Sequence, residues 1–371
     1  MENKTVYKTI YDALKEEIIE NNYPVGSMLP TELQMASRFE VSRPTITKVY
    51  DKLQDEGFVK KKRGAGTIVL YEHDKTIDRV FTFGLLLPGV GESEIFPIIN
   101  DQLLKRSESG KFNCLWDGAT ASSADIRRSL IVFCCDNYIE KQVDGVFFAP
   151  LERVLDADEI NHQICRKLQA ANIPVILIDR DIVKNPLRSE FDIVCLDNFN
   201  AGSVMATHLI DAGCELIYYF YRPDSAFSVL SRLSGIRDTV LNKGLKFGEK
   251  NIICADPSDL KVVRQMKIIP GKTGVICAND STAAVLMSTL DEAELKISTD
   301  LLICGFDDMK YSNHLKHALT SFRQPCTTIA DMSIDLMFRR LSGNPKIPVT
   351  ASLRGELNAK ESTKFVNGCV C

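Results

Sequence analysis

The sequence predicts an α/β protein in two parts: an N-terminal winged helix-turn-helix and a bilobal, doubly wound body. Three observations predict it. Residues 28–70 read as two short helices, a turn, a longer helix and a basic hairpin. The stretch that follows, YEHDKTIDR, is polar and without periodicity. Beyond it, short apolar runs alternate with helical segments, the βαβ order of a parallel sheet covered on both faces. The expected division is a winged helix over 1–71, a linker over 72–80, a bilobal body over 81–360 and a tail over 361–371.

The first helix of the motif begins at Thr31, whose hydroxyl can cap it, and Gln34 three residues later completes a capping box. Leu33, Ala36 and Phe39 fall on one face at helical spacing. Val41 and Ser42 break the helix and restart it, with Ser42 as the next N-cap. Pro44 lies in the new first turn, where a missing N–H costs little. That helix is expected to bury Ile46, Val49, Tyr50 and Leu53 and to stop at Gly57.

Its polar residues Arg43, Thr45, Thr47 and Lys48 point away from the buried face, where a recognition helix meets base edges and phosphates. Phe58 and Val59 open the hairpin, and Thr67–Leu70 close it. Between them run Lys60, Lys61, Lys62 and Arg63, then Gly64-Ala65-Gly66. Lys61 and Lys62 read as phosphate contacts, and the glycines let the tip backbone come close to DNA. The DNA-facing set is therefore Thr31, Ser42, Arg43, Thr45, Thr47, Lys48, Lys62, Arg63, Gly64 and Gly66. The plainer alternative for the charge run is a solvated turn.

A net charge of −4 over 371 residues is no objection to DNA as a partner, because the charge is unevenly placed. From Arg38 to Thr67 there are eight basic residues against four acidic ones. A 45% hydrophobic content suits a globular core, and no long apolar run or secretory segment is present. The expected setting is cytoplasmic, with no membrane partner. Twelve cysteines lie mostly singly, without a C-x-x-C pair, and read as buried reduced thiols rather than a metal site. Cys369 and Cys371 read as part of a frayed tail.

In the body, strands are expected at 80–87, 112–116, 145–149 and 175–178, with helices at 95–106, 124–141 and 157–171 between them. A second series, starting near Ile193, gives helices at 201–212, 228–242 and 281–293 and strands at 217–220, 274–278 and 301–305. This reads as two lobes in tandem. Ligands of such sheets bind at the carboxyl ends of the strands, here in the cleft between lobes.

Two resemblances sharpen the reading. Tyr7–Ile10, Leu14, Gly26, Leu29-Pro30-Thr31-Glu32, Ser42-Arg43, Thr45, Leu53, Glu56-Gly57 and Gly64-x-Gly66-Thr67 resemble the GntR family of bacterial transcription regulators. This implies a DNA-binding dimer on a near-palindromic, double-stranded operator. Two positions depart from the family: Leu33 stands where an arginine is common, and Thr47 replaces a second basic residue. Those contacts do not carry over, and the operator should differ from the common type.

From Thr82 to Gly355 the strand ends resemble the LacI-type regulator core, which is similar to periplasmic sugar-binding proteins. They are Ile178-Asp179-Arg180, Asp197-Asn198, Arg232-Leu-Ser-Gly235, Ala278-Asn279-Asp280-Ser-Thr-Ala283, Gly305-Phe306-Asp307-Asp308 and Phe322-Arg323-Gln324-Pro325. The combination looks like the AraR-like group of sugar-responsive regulators. The resemblance implies that Arg232 forks onto sugar hydroxyls and that Asn279 and Asp307 exchange hydrogen bonds with them. It implies that Gln324 lines the pocket where the chain crosses between lobes, that Asp179 faces the cleft, and that Phe96 stacks on a sugar face. Phe96 can equally be core. Asp280 and Asp308 read as N-caps or turn formers, and Asp197-Asn198 can simply organise a turn.

The sequence thus points to a dimeric repressor of sugar-utilisation genes, released from DNA by a small carbohydrate, a monosaccharide or its phosphate. The same architecture allows an activator or an effector-dependent co-repressor, because fold does not fix that sign. An enzyme fused to a DNA-binding head is the rival of another class. No cofactor is expected, since no Ser-His-Asp order, metal cluster or phosphate loop stands out, and Gly89-Val-Gly91 is too short for the last.

Overall fold

The computed structural model describes residues 2–19, 22–62, 66–71, 79–88, 95–116, 124–154, 156–184, 186–343 and 347–365. It divides into two units, Met1–Arg79 and Val80–Cys371. The first holds α1 (Glu2–Ile19), α2 (Glu32–Arg38), α3 (Arg43–Asp55) and the antiparallel hairpin of β1 (Val59–Lys62) and β2 (Gly66–Val69).

Leu14 and Ile18 of α1 close one core with Met35, Ile46, Val49, Tyr50, Leu53, Val59 and Val69. Each large aliphatic group taken from water there stabilises the fold by about 1.5–3 kcal/mol. Thr31 caps α2 as expected: Gln34 N donates to its Oγ1 (3.3 Å), and Thr31 N donates to Gln34 Oε1 (2.8 Å). The buried face of α3 is the expected one, and the chain leaves that helix at Gly57 with φ +81°.

Three expectations need correction. Residues 28–70 contain one short helix before the turn, not two. The segment ahead of α2 is extended, with Met28 bridged to Ile68 and Leu29 N donating to Thr67 O, so the remaining helix is α1 upstream. The buried face of α2 is Met35 and Ala36, whereas Leu33 is 67% exposed. Ser42 does hold the N-cap position of α3, but its hydroxyl lies 2.9 Å from Thr45 Oγ1 instead of on a backbone amide.

The second unit begins with β3 (Phe81–Leu86), α4 (Ile95–Ser107), β4 (Phe112–Leu115), α5 (Ala124–Glu140), β5 (Gly145–Phe148), α6 (Ala157–Ala170), β6 (Val175–Ile178) and β7 (Asp192–Leu196). There follow α7 (Asn198–Asp211), β8 (Leu216–Tyr221), α8 (Phe227–Asn242), β9 (Ile252–Cys254), α9 (Leu260–Gln265), β10 (Thr273–Cys277), α10 (Asp280–Glu292), β11 (Leu301–Phe306), β12 (Thr320–Arg323), α11 (Cys326–Leu341), β13 (Thr350–Leu353) and β14 (Glu356–Asn358). The strands form two six-stranded sheets, ordered β13-β7-β6-β5-β3-β4 and β14-β12-β11-β10-β8-β9. Every pairing is parallel except β12 with β14. The apolar runs of the inner strands are buried on both sides, as helix-covered parallel sheets require.

The lobes are therefore bilobal and doubly wound but not in tandem. Strand β7, read as the start of the second lobe, completes the first sheet. The chain crosses after β7, crosses back after β12 so that α11 packs on the first lobe, and crosses again between β13 and β14. Asp192 fixes this return: its carboxylate accepts from Arg340 Nε and Nη2 and from Val349 N (2.6 Å). Residues 361–363 are no tail. They form a 3-10 turn whose Ser362 accepts from Thr320 N (2.9 Å) and donates to Ile303 O (2.6 Å), and Phe365 packs on the second-lobe core.

Most of the expected linker, residues 72–78, lies outside the described residues, as do Gly89-Val-Gly91, Arg63, Gly64, Cys369 and Cys371. Each unit has its own core. A fragment starting at Thr76 should therefore unfold cooperatively in urea and keep effector binding. An aggregated product would show that the boundary is misplaced.

Candidate functional site

The candidate operator face is built around the start of α3. Ser42, Arg43 and Lys48 are exposed, and Thr45 and Thr47 are half-buried. One acidic residue organises them. Glu32, the first residue of α2, accepts from Thr47 Oγ1 (3.0 Å) and Arg43 Nε (3.2 Å) and lies 3.4 Å from Lys61 Nζ. Burial opposes its charge, but these three donors together hold the carboxyl below the usual range. The sequence reading gave Glu32 no role of its own. Contacts across 11 to 29 residues leave no local signal.

Lys61 does not stand free for phosphate. Its ammonium sits 2.6 Å from Asp51 Oδ1, and its backbone N–H donates to Gln54 Oε1 (2.9 Å). Lys62 is exposed. Gly66 has φ +98°, and a Cβ there would lie 2.6 Å from Met28 Cε, so the backbone alone accounts for this glycine. Lys62→Ala should accordingly weaken all DNA sequences alike and flatten the salt slope by about one unit. Lys61→Ala should disturb Glu32 and Asp51 instead and leave that slope nearly intact. Equal slope changes in a salt series of anisotropy titrations would contradict this division.

The second site lies between the lobes of the C-terminal unit. Helices α7 and α8 approach closely because two glycines face each other's backbones: a Cβ at Gly202 would meet Arg232 O at 2.1 Å, and one at Gly235 would meet Phe199 O at 2.0 Å. That contact places Arg232, which is 4% exposed. Its Nε donates to Asn198 Oδ1 (2.8 Å), its Nη1 donates to Ala278 O (2.5 Å), and its guanidinium lies 4.5 Å over the Phe306 ring. Asp307 follows β11 with φ +103°, and its Oδ1 accepts from Gln324 Nε2 (2.6 Å). Burial pushes the Asp307 carboxyl up, with Arg232 and Gln324 only partly opposing.

From the first lobe comes Asp179, with φ +71° and 4% exposure. Arg180 Nε donates to Asp179 Oδ2 (2.9 Å), and Arg180 Nη1 lies 3.0 Å from Glu152 Oε1. Glu152 in turn accepts from Ala226 N (3.1 Å) at the start of α8, and Arg153 N donates to Asp224 O (2.9 Å). These two bonds join the lobes. Burial works against the charge on Glu152, but Arg180 and Arg153 hold its carboxyl below the usual range.

Asp179, Arg232, Asn279, Asp307 and Gln324 thus converge on one pocket, open to solvent, of about 440 Å³. Phe96 does not: it is fully buried in the first-lobe core, where the Arg180 guanidinium lies 5.6 Å from its ring centroid, and its neighbour Ile95 reaches the pocket. Asn279, not Asp280, is the N-cap of α10, accepting from Thr282 N (2.9 Å). Asp280 is buried and ties the neighbouring loops, accepting from Met309 N and Ser321 Oγ. Asp308 serves its turn, held by Arg323, Lys360 and Asn358. Glu152, Arg153 and Arg180 are pocket residues to which the sequence reading gave no role.

Among the described residues, ten cysteines are free thiols, seven of them buried, and no cluster of metal-ligating side chains is present. No helix is long and apolar enough to cross a membrane.

A helix-turn-helix with a wing, followed by a two-lobed sheet body with a polar cleft, is the build of a ligand-responsive regulator. Residues 6–69 match the family described as bacterial regulatory proteins, gntR family, and residues 206–363 match the periplasmic binding protein-like domain. The chain is similar to the arabinose metabolism transcriptional repressor of Halalkalibacterium halodurans, at 24% identity over 87% of this chain and 85% of that one. It is also similar to the protein of the same description from Geobacillus stearothermophilus, at 22% identity over 99% and 100%. The solved complex of the transcriptional regulator CelR with cellobiose shares the fold. It is 18% identical, covers 90% of this chain and 100% of that one, and has a TM-score of 0.64.

Proposed function

We propose that this protein is a homodimeric, cytoplasmic repressor of sugar-utilisation genes, and that an unphosphorylated carbohydrate in the cleft releases it from its operator. One observation carries the choice of ligand. Asp179 Oδ1 and Gln324 Oε1 are buried acceptors on the pocket wall without a hydrogen-bond partner, and Arg153 Nε and Arg180 Nη1 are buried donors there without one, the latter only ion-paired with Glu152. An unmet buried acceptor costs about 1–3 kcal/mol, and a donor from the ligand relieves it. A hydroxyl group donates to the first pair and accepts from the second, whereas a phosphate dianion serves only the second.

Charge supports the same choice. Glu152, Asp179 and Asp307 face Arg153, Arg180 and Arg232 around the pocket, so a further dianion has no counterpart. Arg232 and the Nε of Arg180 are already engaged with protein acceptors. The names of the relatives, repressors of arabinose metabolism, agree with this reading. Ligand that draws the lobes together alters how two readers are spaced on a palindromic operator, which lowers affinity. Coupling is reciprocal: DNA must weaken sugar binding by the same factor.

A thermal-shift screen of neutral monosaccharides beside their phosphates tests the proposal. Ligand at a hundredfold its Kd adds about 2.7 kcal/mol to stability. A rise in melting temperature with a neutral sugar, larger than with its phosphate, is the expected result. A rise with phosphates alone would refute it.

A further inference from the structure

The pocket is not the end of the cleft. A second space of about 560 Å³ adjoins it between the same lobes and shares Asp179, Arg180 and Ser228 as walls. It runs past the start of α7 and α8 to the edge strand β13. Its further lining includes Phe199, Phe227, Ser231, Thr350 and Ser352.

The chemistry of this space differs from that of the pocket. Phe199 is 46% exposed, although it sits at the start of a helix in the cleft, and Phe227 is half-exposed. Thr350 and Ser352, two apart on β13, share one face of that strand and are both exposed. Of the charged groups nearby, Asp181 accepts from the amides of Ile182 and Ser189, Asp197 accepts from Asn200 N, and Arg188 donates to Leu187 O. Beside them the space presents an aromatic face next to hydroxyl groups. A sugar ring matches that mixture, since its C–H face covers an aromatic ring while its rim of hydroxyls meets serine and threonine.

We propose that the effector is longer than one ring: a neutral saccharide of two units, one in the pocket of Asp307 and Arg232, the other against Phe199. This rests on the carbohydrate reading above. A second unit there reaches the crossing at Leu196–Asn198 that joins the lobes, and Asn198 is one of the two residues that accept from Arg232. Both halves of such a ligand therefore bear on the same hinge.

Isothermal titration of the full chain against neutral pentoses, hexoses and disaccharides built from them tests the proposal, with wild type, Phe199→Ala and Thr350→Val compared. At least one disaccharide should bind ten times tighter than either of its units. Phe199→Ala should remove that advantage and leave monosaccharide affinity within twofold, with the ligand-free melting temperature unchanged. Thr350→Val, which keeps shape and removes one hydroxyl, should reduce the advantage without touching monosaccharides. Disaccharides no better than their units would overturn the proposal while the carbohydrate reading stands. Equal losses for both ligand lengths in Phe199→Ala would overturn it as well. If no saccharide of either length binds, the carbohydrate reading falls, and this inference with it.

Discussion

Asp307→Asn is expected to lower effector affinity ten- to a hundredfold and to leave operator affinity within twofold. The carboxylate faces the pocket beside Gln324 and Arg232, and a charged hydrogen bond lost to the ligand costs roughly 1.5–3 kcal/mol. Asparagine is the informative replacement. Residue 307 has φ +103°, a backbone that asparagine tolerates better than alanine, and an amide oxygen still accepts from Gln324. In cells, a repressor so altered keeps its target genes silent whatever sugar is supplied. Wild-type affinity in a titration would remove Asp307 from the site. Arg232→Ala is the harsher change, because this guanidinium also holds Asn198 and the Ala278 carbonyl within the second lobe. It should lose stability together with ligand.

The second large effect belongs to the operator face. Arg43→Ala should cost about 1–3 kcal/mol of operator affinity and blur the preference at one base position. The side chain is 68% exposed and, among the described residues, is held through Nε on Glu32, which leaves the fork of the guanidinium for a base edge. Glu32→Gln should have a related, smaller effect, since it loosens Arg43, Thr47 and Lys61 together. Intact affinity and sequence preference for Arg43→Ala in gel-shift titrations would show that α3 is not the reading helix.

Local pattern carried much of this structure. The capping box at Thr31, the buried face of α3 and the βαβ alternation all arise within a few residues of chain, and each stands where the sequence puts it. The misplaced features depend on distant partners. Leu33 has helical spacing for burial, but the core beneath α2 is met by Met35 and Ala36. Strand β7 follows β6 closely in sequence, and only its pairing with β6 and β13 assigns it to the first sheet. The edge strands β13 and β14 are short and half-exposed, so they lack an apolar run to announce them.

The pocket shows the same division. Five of six expected residues converge: four because strand ends in a doubly wound sheet share one edge, and Arg232 because α8 packs closely on α7. Phe96 sits one position from the residue that reaches the pocket, and on a helix one position turns a side chain by about 100°. Glu152 and Arg180 act through a bond between lobes, to the first turn of α8, that no spacing along the chain encodes.

The central claim is that sugar in the cleft releases DNA from the winged helix. The direct measurement is fluorescence anisotropy of a labelled duplex, selected from random DNA by the full chain, titrated with protein in the presence and absence of the neutral sugar that gives the largest thermal shift. The expected result is at least a tenfold loss of operator affinity with sugar, about 1.4 kcal/mol of coupling, absent in Asp307→Asn at the same sugar concentration. Operator affinity that stays the same or rises when the wild-type cleft is saturated would contradict it.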